Sequence, residues 1–493
     1  MNQAWQSKYN DFPEIRIPSP ARRRAAGQGN LRLPEQFQAE IDHVDSVSEL
    51  ISNLTVDLCK TVKVASGNRI LSGTYYGYTN YLLAGGRSHD CGHNGLENLL
   101  KSSAVDILMA PSRYAGRGLG GGGGFMHPEA TAELHKKLLI SECDVRTPAA
   151  ASNLGKTATL AATRAVVERE YAAQIAGNAV MRYFDFSHGW VTEDKRIFDV
   201  LKKSADFDGK ISKDAAMDFR RFGAGVFTSA ATAARIHRES KLNLWLVENS
   251  YQEFIRSGAS FNMYASEDFA GVASEHKLLI FLNTLMFDEN MKKSILKEAA
   301  QKDKVIFFHS GCGMIGSKGF DTGFMEKLFG SKFAVDRQDK VHTVKFTAAG
   351  EKFLGIPAGK QFVLPKEVAP VFFPEQADEV LAYTGDGKIA LALKKSSGAT
   401  LIWSALPRLD ADMISGMAKR AGLPTVDCVP RVPVWFNRGV LAIHTAKDVK
   451  VSFDFDKYGW QLENWEDGKR YSGKIKLNLS PETTALFKVS GKK

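Results

Sequence analysis

Four short apolar runs constrain this chain most: Ile70 to Gly77, Val105 to Pro111, Leu138 to Glu142 and Ala179 to Phe186, each ending in polar or Gly/Pro residues. Such runs suit buried parallel strands. Helical stretches separate them. Asn94 to Lys101 reads as a short helix, and Thr157 to Ala176 as a longer one with Leu160, Val166, Val167 and Ile175 on an apolar side. The strands recur at about 30–45 residues, the spacing of βα units in an eight-stranded α/β barrel of about 250 residues. Only four barrel strands can be read. The residues before the first are helical and loop-like, with a helix predicted over His43 to Lys63. Over 1–238 the chain thus reads as if it began halfway round a barrel, as the C-terminal half of a (β/α)8 TIM barrel: either the first half is absent, or the fold is not a complete barrel.

A second pattern begins after Arg235. Asn243 to Val247, Lys277 to Leu282, Val305 to Phe308 and Thr400 to Trp403 read as strands, with helices at Glu289 to Lys302 and Asp410 to Ala421. This alternation predicts a Rossmann-like α/β domain over 239–428. The tail is strand-rich, at Val440 to His444, Val449 to Phe455 and Tyr471 to Val489. It predicts a small β-sandwich over 429–493.

Composition narrows the function classes. The chain has 493 residues, enough for two to four domains. The net charge of +10 is spread along the sequence, and its one dense basic run, Arg22 to Arg24, has no interleaved aromatics. A nucleic-acid partner is not expected. No run of about 18 apolar residues occurs, so no membrane span is expected. The first residues lack the apolar core of a signal peptide. The cysteines are Cys59, Cys91, Cys143, Cys312 and Cys428, an odd number without a CxxC pair. Neither a disulfide framework nor a zinc site is expected, and reduced cysteines point to the cytoplasm. His89, His93 and His127 share no ligand-like spacing, so no metal is expected. No cofactor is expected either.

Several segments, in order and spacing, resemble glycoside hydrolases of the superfamily that includes family 42 β-galactosidases. They are similar above all to uncharacterised relatives that carry a β-galactosidase trimerisation domain. The segments are Gly73 to Tyr78, Gly92-His93, Val105-Asp106, Pro111 to Tyr114, Arg117-Gly118 and the glycines to Gly124, and Phe125-Met126. His135 to Leu138, Glu142 to Thr147, Arg169-Glu170 and Phe184 to Trp190 complete them. The likeness continues through Lys277 to Asn283 and Gly311-Cys312-Gly313, and the domain there also resembles glutamine amidotransferases in fold. It implies a carbohydrate substrate and a trimer, although the stretch from Val247 to Lys277 is short for the latter. It also implies that Ala4-Trp5, Ile17 to Pro20 and Arg22-Arg23 follow the fourth barrel strand. The general acid/base Glu would then lie upstream of Met1.

The resemblance makes Glu142, in Ser141-Glu142-Cys143-Asp144-Val145-Arg146, the nucleophile of a retaining glycosidase. Barrel enzymes place catalysis at the C-terminal ends of strands, and the reaction uses two carboxyl groups about 5–5.5 Å apart. Arg146 is expected to hold Glu142 ionised, and Asp144 to orient Arg146. A purely structural Glu–Arg pair is the alternative. Tyr75, Tyr76, Tyr114, Phe184 and Trp190 lie at or past strand ends, where flat apolar surface suits the C–H face of a sugar. Tyr76 and Trp190 lead that set, and ordinary core packing is the alternative for each. Gly118 and Gly120 to Gly124 lack the Lys-Ser/Thr of a phosphate loop and predict a flexible loop over the pocket. Gly311-Cys312-Gly313 predicts a tight turn rather than a cysteine nucleophile.

Overall fold

The computed structural model describes residues 2–5, 7–25, 27, 29–185, 194–214, 220–364, 366, 368–396 and 398–491. All four apolar runs contribute strands, β1 Gly73–Tyr75, β2 Ile107–Pro111, β3 Leu138–Cys143 and β4 Ala179–Tyr183. They form one parallel sheet in sequence order. Helices Leu96–Lys101, Glu129–Leu134 and Leu160–Ala176 connect them, and Lys195–Asp214 follows β4. Thr159 caps the third of these, its hydroxyl accepting from the Ala162 amide at 2.9 Å. The helix expected over His43 to Lys63 runs from Pro34 to Ala65, with Pro34 in the first turn where its missing N–H costs nothing.

The two faces of this sheet differ. Leu108, Ala110, Leu139, Ser141 and Cys143 point to a packed side and are at most 3% exposed. The alternate residues, among them Tyr75, Met109, Leu138, Ile140 and Val180, lie on a face that nothing in the described chain covers fully. Strand alternation produces this split, because successive side chains leave opposite faces.

The second sheet has nine strands, and its parallel core includes β5 Ala224–Thr228, β6 Phe261–Ala265, β7 Leu278–Phe281 and β8 Val305–Phe308. β5 lies within the 1–238 segment expected to belong to the barrel part, yet it pairs with β6 and β7. Beyond β8 come β9 Phe333–Asp336, β10 His342–Phe346, β11 Gln361–Leu364, β12 Val371–Pro374, β13 Glu379–Thr384, β14 Ile389–Lys395 and β15 Thr400–Ser404. The sheet order is β11-β10-β13-β14-β15-β8-β7-β5-β6, with β15 parallel to β8 and the other added strands antiparallel. β9 and β12 pair separately. The expected strand over Asn243 to Val247 is instead a π-helical turn, Leu244–Asn249, that runs into the helix Ser250–Arg256. A short unbroken apolar run is ambiguous between the two states. Here Leu246, Val247 and Glu248 are buried in the helical state, which continues without a break into Ser250–Arg256.

The tail forms two antiparallel sheets. One contains Asp427–Val429, Val449–Asp454 and Lys474–Leu479, and the other Val434–Asn437, Val440–Thr445, Thr483–Gly491, Trp460–Asn464 and Arg470–Tyr471. Phe436, Ile443, Val451, Phe453, Phe455 and Trp460 fill a core shared by both. A larger core joins the packed face of the β1–β4 sheet to the nine-stranded sheet through residues such as Leu108, Leu139, Leu246, Tyr251 and Phe281.

Candidate functional site

Glu142 stands near the C-terminal end of β3, on the open face of the sheet. Its in-register neighbour on β4 is Arg182. Arg182 Nη1 donates to Glu142 Oε2 at 3.2 Å and to Tyr75 Oη at 2.8 Å. The Tyr75 hydroxyl donates to the same carboxylate oxygen in a short contact. Tyr75, Glu142 and Arg182 thus form a closed triangle contributed by three strands. Burial, and then the adjacent Glu142 carboxylate, push the Tyr75 phenol up from its ordinary value. Its proton is accordingly held, and it acts as a donor to the carboxylate.

The cation beside Glu142 is Arg182, not the expected Arg146. Arg146 Nη1 lies 3.5 Å from Asp144 Oδ2 and donates to the Leu154 carbonyl at 3.4 Å. The stronger partner of Asp144 is Arg117, which also donates to the Ser112 carbonyl at 2.9 Å. A spacing of four brings side chains together on a helix. At a strand end the neighbours come from adjacent strands instead, and Arg182 was visible in the fourth apolar run as the residue that register would supply.

Tyr76, placed first among the sugar-binding aromatics, faces the packed side. It is 2% exposed. Its hydroxyl donates to the Gly92 carbonyl at 2.6 Å and accepts from the Gly95 amide at 3.1 Å, and its ring stacks on His93 at 4.8 Å. Alternation along β1 decides this, since Tyr75 and Tyr76 must point opposite ways. Phe184 follows β4 and lies under the Arg182 guanidinium, 5.6 Å from ring centroid to carbon. Tyr114, past β2, packs edge-on to Tyr81 at 5.7 Å and carries the Arg117 guanidinium at 4.3 Å. Tyr78 was not singled out from sequence. It packs against His93 and His127, and burial, then the charges of Tyr75 and Glu142, raise its pKa. Trp190 lies outside the described residues. The three histidines hold backbone: His89 contacts the Gly86 and Ile236 carbonyls, His93 accepts from the Gly77 amide, and His127 donates to the Tyr76 carbonyl. Among the described residues no cluster of three or more His, Cys, Asp or Glu is arranged to hold a metal ion.

The glycine-rich segment is fastened rather than free. Arg169, fully buried, donates to the carbonyls of Arg117, Gly118 and Gly121 at 2.8–2.9 Å and pairs with Glu170. Trp435 Nε1 donates to the Gly122 carbonyl at 2.9 Å, and the Gly120 amide donates to His444 Nε2 at 2.9 Å. The segment is the joint between the β1–β4 sheet and the C-terminal strands. Gly124 has φ of +103°, and a Cβ there would sit 2.5 Å from the Tyr251 hydroxyl, so the close approach requires glycine. Beside it, Arg113 is fully buried. It grips Glu248 with Nε at 2.9 Å and Nη2 at 2.6 Å and lies over the Tyr251 ring at 4.0 Å. Cys312 is buried, and burial pushes its thiol up to about 12, which leaves no thiolate for attack.

No family model matches the sequence, and no curated protein matches it. Solved structures do match in fold. The β-galactosidase of Bacillus circulans sp. alkalophilus superposes with a TM-score of 0.66 at 14% identity, covering 99% of this chain and 74% of its own. A catalytic mutant of a GH42 β-galactosidase from G. stearothermophilus gives 0.62 at 12%, over 99% and 73%. A GH42 exo-carrageenase from Bacteroides ovatus gives 0.55 at 11%, over 99% and 60%. The chain has the fold of GH42 β-galactosidases along nearly all of its length, and that span is about three quarters of theirs. No helix among the described residues is long and apolar enough to cross a membrane.

Proposed function

We propose that this chain is a β-galactosidase-like glycoside hydrolase component with Glu142 as the nucleophile of a retaining double displacement. The observation that carries the reading is the Tyr75–Glu142–Arg182 triangle at strand ends on the open face, in a chain with the GH42 fold. In this reading β1–β4 are strands five to eight of a (β/α)8 barrel, the nine-stranded sheet is the trimerisation-type domain, and the tail is the closing β-sandwich. Tyr75 and Arg182 hold Glu142 Oε2, and Oε1 attacks the anomeric carbon. A covalent glycosyl ester forms as the C1–O bond to the leaving group breaks, and water later releases the sugar. Tyr75, against Glu142, and Phe184, against Arg182, offer flat surfaces for the ring. Asp144 and Arg146 support the strand end through Arg117 and the Leu154 carbonyl.

Protonation of the leaving oxygen needs a second carboxyl group. Asp144 is committed to Arg117, and Asp106, just before β2 at the opposite end of the sheet, is committed to Lys63 and the Ser72 amide. These two do not supply it, and a second reading is that the chain binds carbohydrate or assembles without hydrolysing. A fluorosugar separates the two, because a dinitrophenyl leaving group departs without acid help. Incubation with 2,4-dinitrophenyl 2-deoxy-2-fluoro-β-galactoside is expected to leave a sugar ester on the peptide containing Glu142, seen by mass spectrometry and absent in Glu142→Gln. No ester, or an ester that persists in Glu142→Gln, would sink the nucleophile assignment.

A further inference from the structure

Away from Glu142, three clefts join end to end. The first, about 740 Å³, lies between the turn after the helix Ala411–Arg420 and the outer face of the sheet Asp427–Val429, Val449–Asp454 and Lys474–Leu479. The second, about 400 Å³, lies where the helices Ala348–Leu354 and Ala411–Arg420 pack together. The third, about 90 Å³, opens beside β13, β14 and β15. Lys419 lines the first two, and Phe353 and Arg420 line the last two, so the three form one groove. Gly416 contributes to the middle cleft, and a Cβ there would lie 2.2 Å from the Leu354 carbonyl oxygen. Only glycine lets the two helices meet that closely.

The groove is basic, and its charges are unevenly matched. Its acids are occupied: Glu379 by Lys395, Asp412 by Arg431 and Lys360, and Asp427 by Lys419. Asp454 and Asp456 accept the backbone amides of Asp456 and Gly473. In contrast, Lys352, Arg420, Lys457, Lys474 and Lys476 are exposed and form no ion pair among the described residues. Asp454 faces Lys474 in register without pairing to it. Arg420 and Lys457 rest on the rings of Phe353 and Tyr458, at 5.4 and 4.7 Å. A ring face holds a cation in place without neutralising it. Lys474 and Lys476 leave the same face of their strand, about 7 Å apart along it. In the middle cleft Ser415 is 2% exposed, and its hydroxyl has no partner among the described residues. A buried hydroxyl without a hydrogen bond is destabilising, and a ligand oxygen in the cleft would supply one.

Like charges gathered along a concave surface raise the local potential and draw in the opposite charge. A compact anion would reach two or three of these cations, whereas an extended one meets all five. The half-buried rings, Phe353 and Tyr458, already carry cations, and Phe453 is buried. That leaves the groove without the open stacking faces a single nucleic-acid strand uses. We propose that the groove binds an anionic polysaccharide, whose carboxylates or sulfates meet Arg420, Lys457, Lys474 and Lys476 while a sugar oxygen meets Ser415. The choice of a saccharide rests on the proposed function; the anionic character rests on the groove.

The test measures binding of the full chain to polygalacturonate and to dextran sulfate by isothermal titration calorimetry, with neutral dextran as control. At least one of the two anionic polymers is expected to bind, and the tighter one identifies the anion as carboxylate or sulfate. Raising the salt is expected to weaken that binding, because exposed charges are screened. Arg420→Gln with Lys474→Gln and Lys476→Gln is expected to weaken it at least 10-fold with the melting temperature unchanged, since all three side chains are exposed. Lys195→Gln with Lys202→Gln and Lys203→Gln removes the same charge from the exposed side of the helix Lys195–Asp214 and is expected to leave the affinity within about twofold. No binding of either polymer would overturn the proposal, as would equal binding of neutral dextran, polyglutamate or DNA, or equal weakening by the two triple variants. Fluorosugar labelling reports on Glu142 separately. Binding without labelling would refute the nucleophile reading alone, and labelling without binding would refute the groove alone.

Discussion

Glu129→Gln is expected to make the protein more stable in mild alkali and nearly neutral in acid. Glu129 opens the helix Glu129–Leu134, which packs on β6. It is 5% exposed; Oε1 accepts from the Met263 amide at 3.3 Å, and Oε2 has no partner among the described residues. Burial pushes this carboxyl up to about 8 from an ordinary 4.5, against the weaker pull of two backbone donors and Arg113. Arg113 is already taken by Glu248. A raised carboxyl pKa means that between 4.5 and about 8 the folded chain keeps a proton the unfolded chain has released. Stability then falls as pH rises through that window and levels off above it. Each pKa unit is worth about 1.4 kcal/mol, so the loss between about pH 5 and about pH 8.5 is on the order of 3 kcal/mol. Gln keeps the Oε1 acceptor and never ionises, so the variant should escape that loss. Urea unfolding of both proteins at the two pH values measures it. A stability difference between them that is the same at both would refute a buried, neutral Glu129.

Arg182→Met should slow fluorosugar labelling of Glu142 on the order of 100-fold, with the melting temperature unchanged because the side chain is 48% exposed; labelling at the original rate would remove Arg182 from the site. Arg169→Met should cost about 3–5 kcal/mol in denaturant unfolding, since it strands buried Glu170 and frees the carbonyls of the glycine-rich segment. A loss under about 1 kcal/mol would mean the segment is held by other contacts. Cys312 should resist iodoacetamide in the native protein and react fully in denaturant, read by peptide mass spectrometry; native labelling would contradict its burial and raised pKa.

The hydrophobic pattern located the strands that matter. Apolar runs at 30–45-residue spacing marked β1 to β4, and the runs at Leu278, Val305 and Thr400 marked β7, β8 and β15, the last three because burial on both faces leaves a local signature. Glu142 was legible as a strand-end carboxylate through the resemblance. The pattern failed where local sequence is degenerate. Leu244 to Val247 has the composition of a strand and forms helix, and Ala224 to Thr228 has no feature that says which sheet it joins.

What the sequence determined by itself, then, is where β1 to β4 and a few strands of the second sheet lie, and which carboxylate ends β3. Only the tertiary structure decided which neighbours those residues meet. Glu142 is held by Arg182 rather than Arg146 because register across β3 and β4, not distance along the chain, sets contact at a strand end. Tyr75 faces the carboxylate while Tyr76 is buried because one residue reverses the face. The glycine-rich segment is a joint rather than a lid because Arg169, Trp435 and His444, distant in sequence, converge on its backbone. Pairings between remote segments carry no local pattern, so they exist only once the chain has folded.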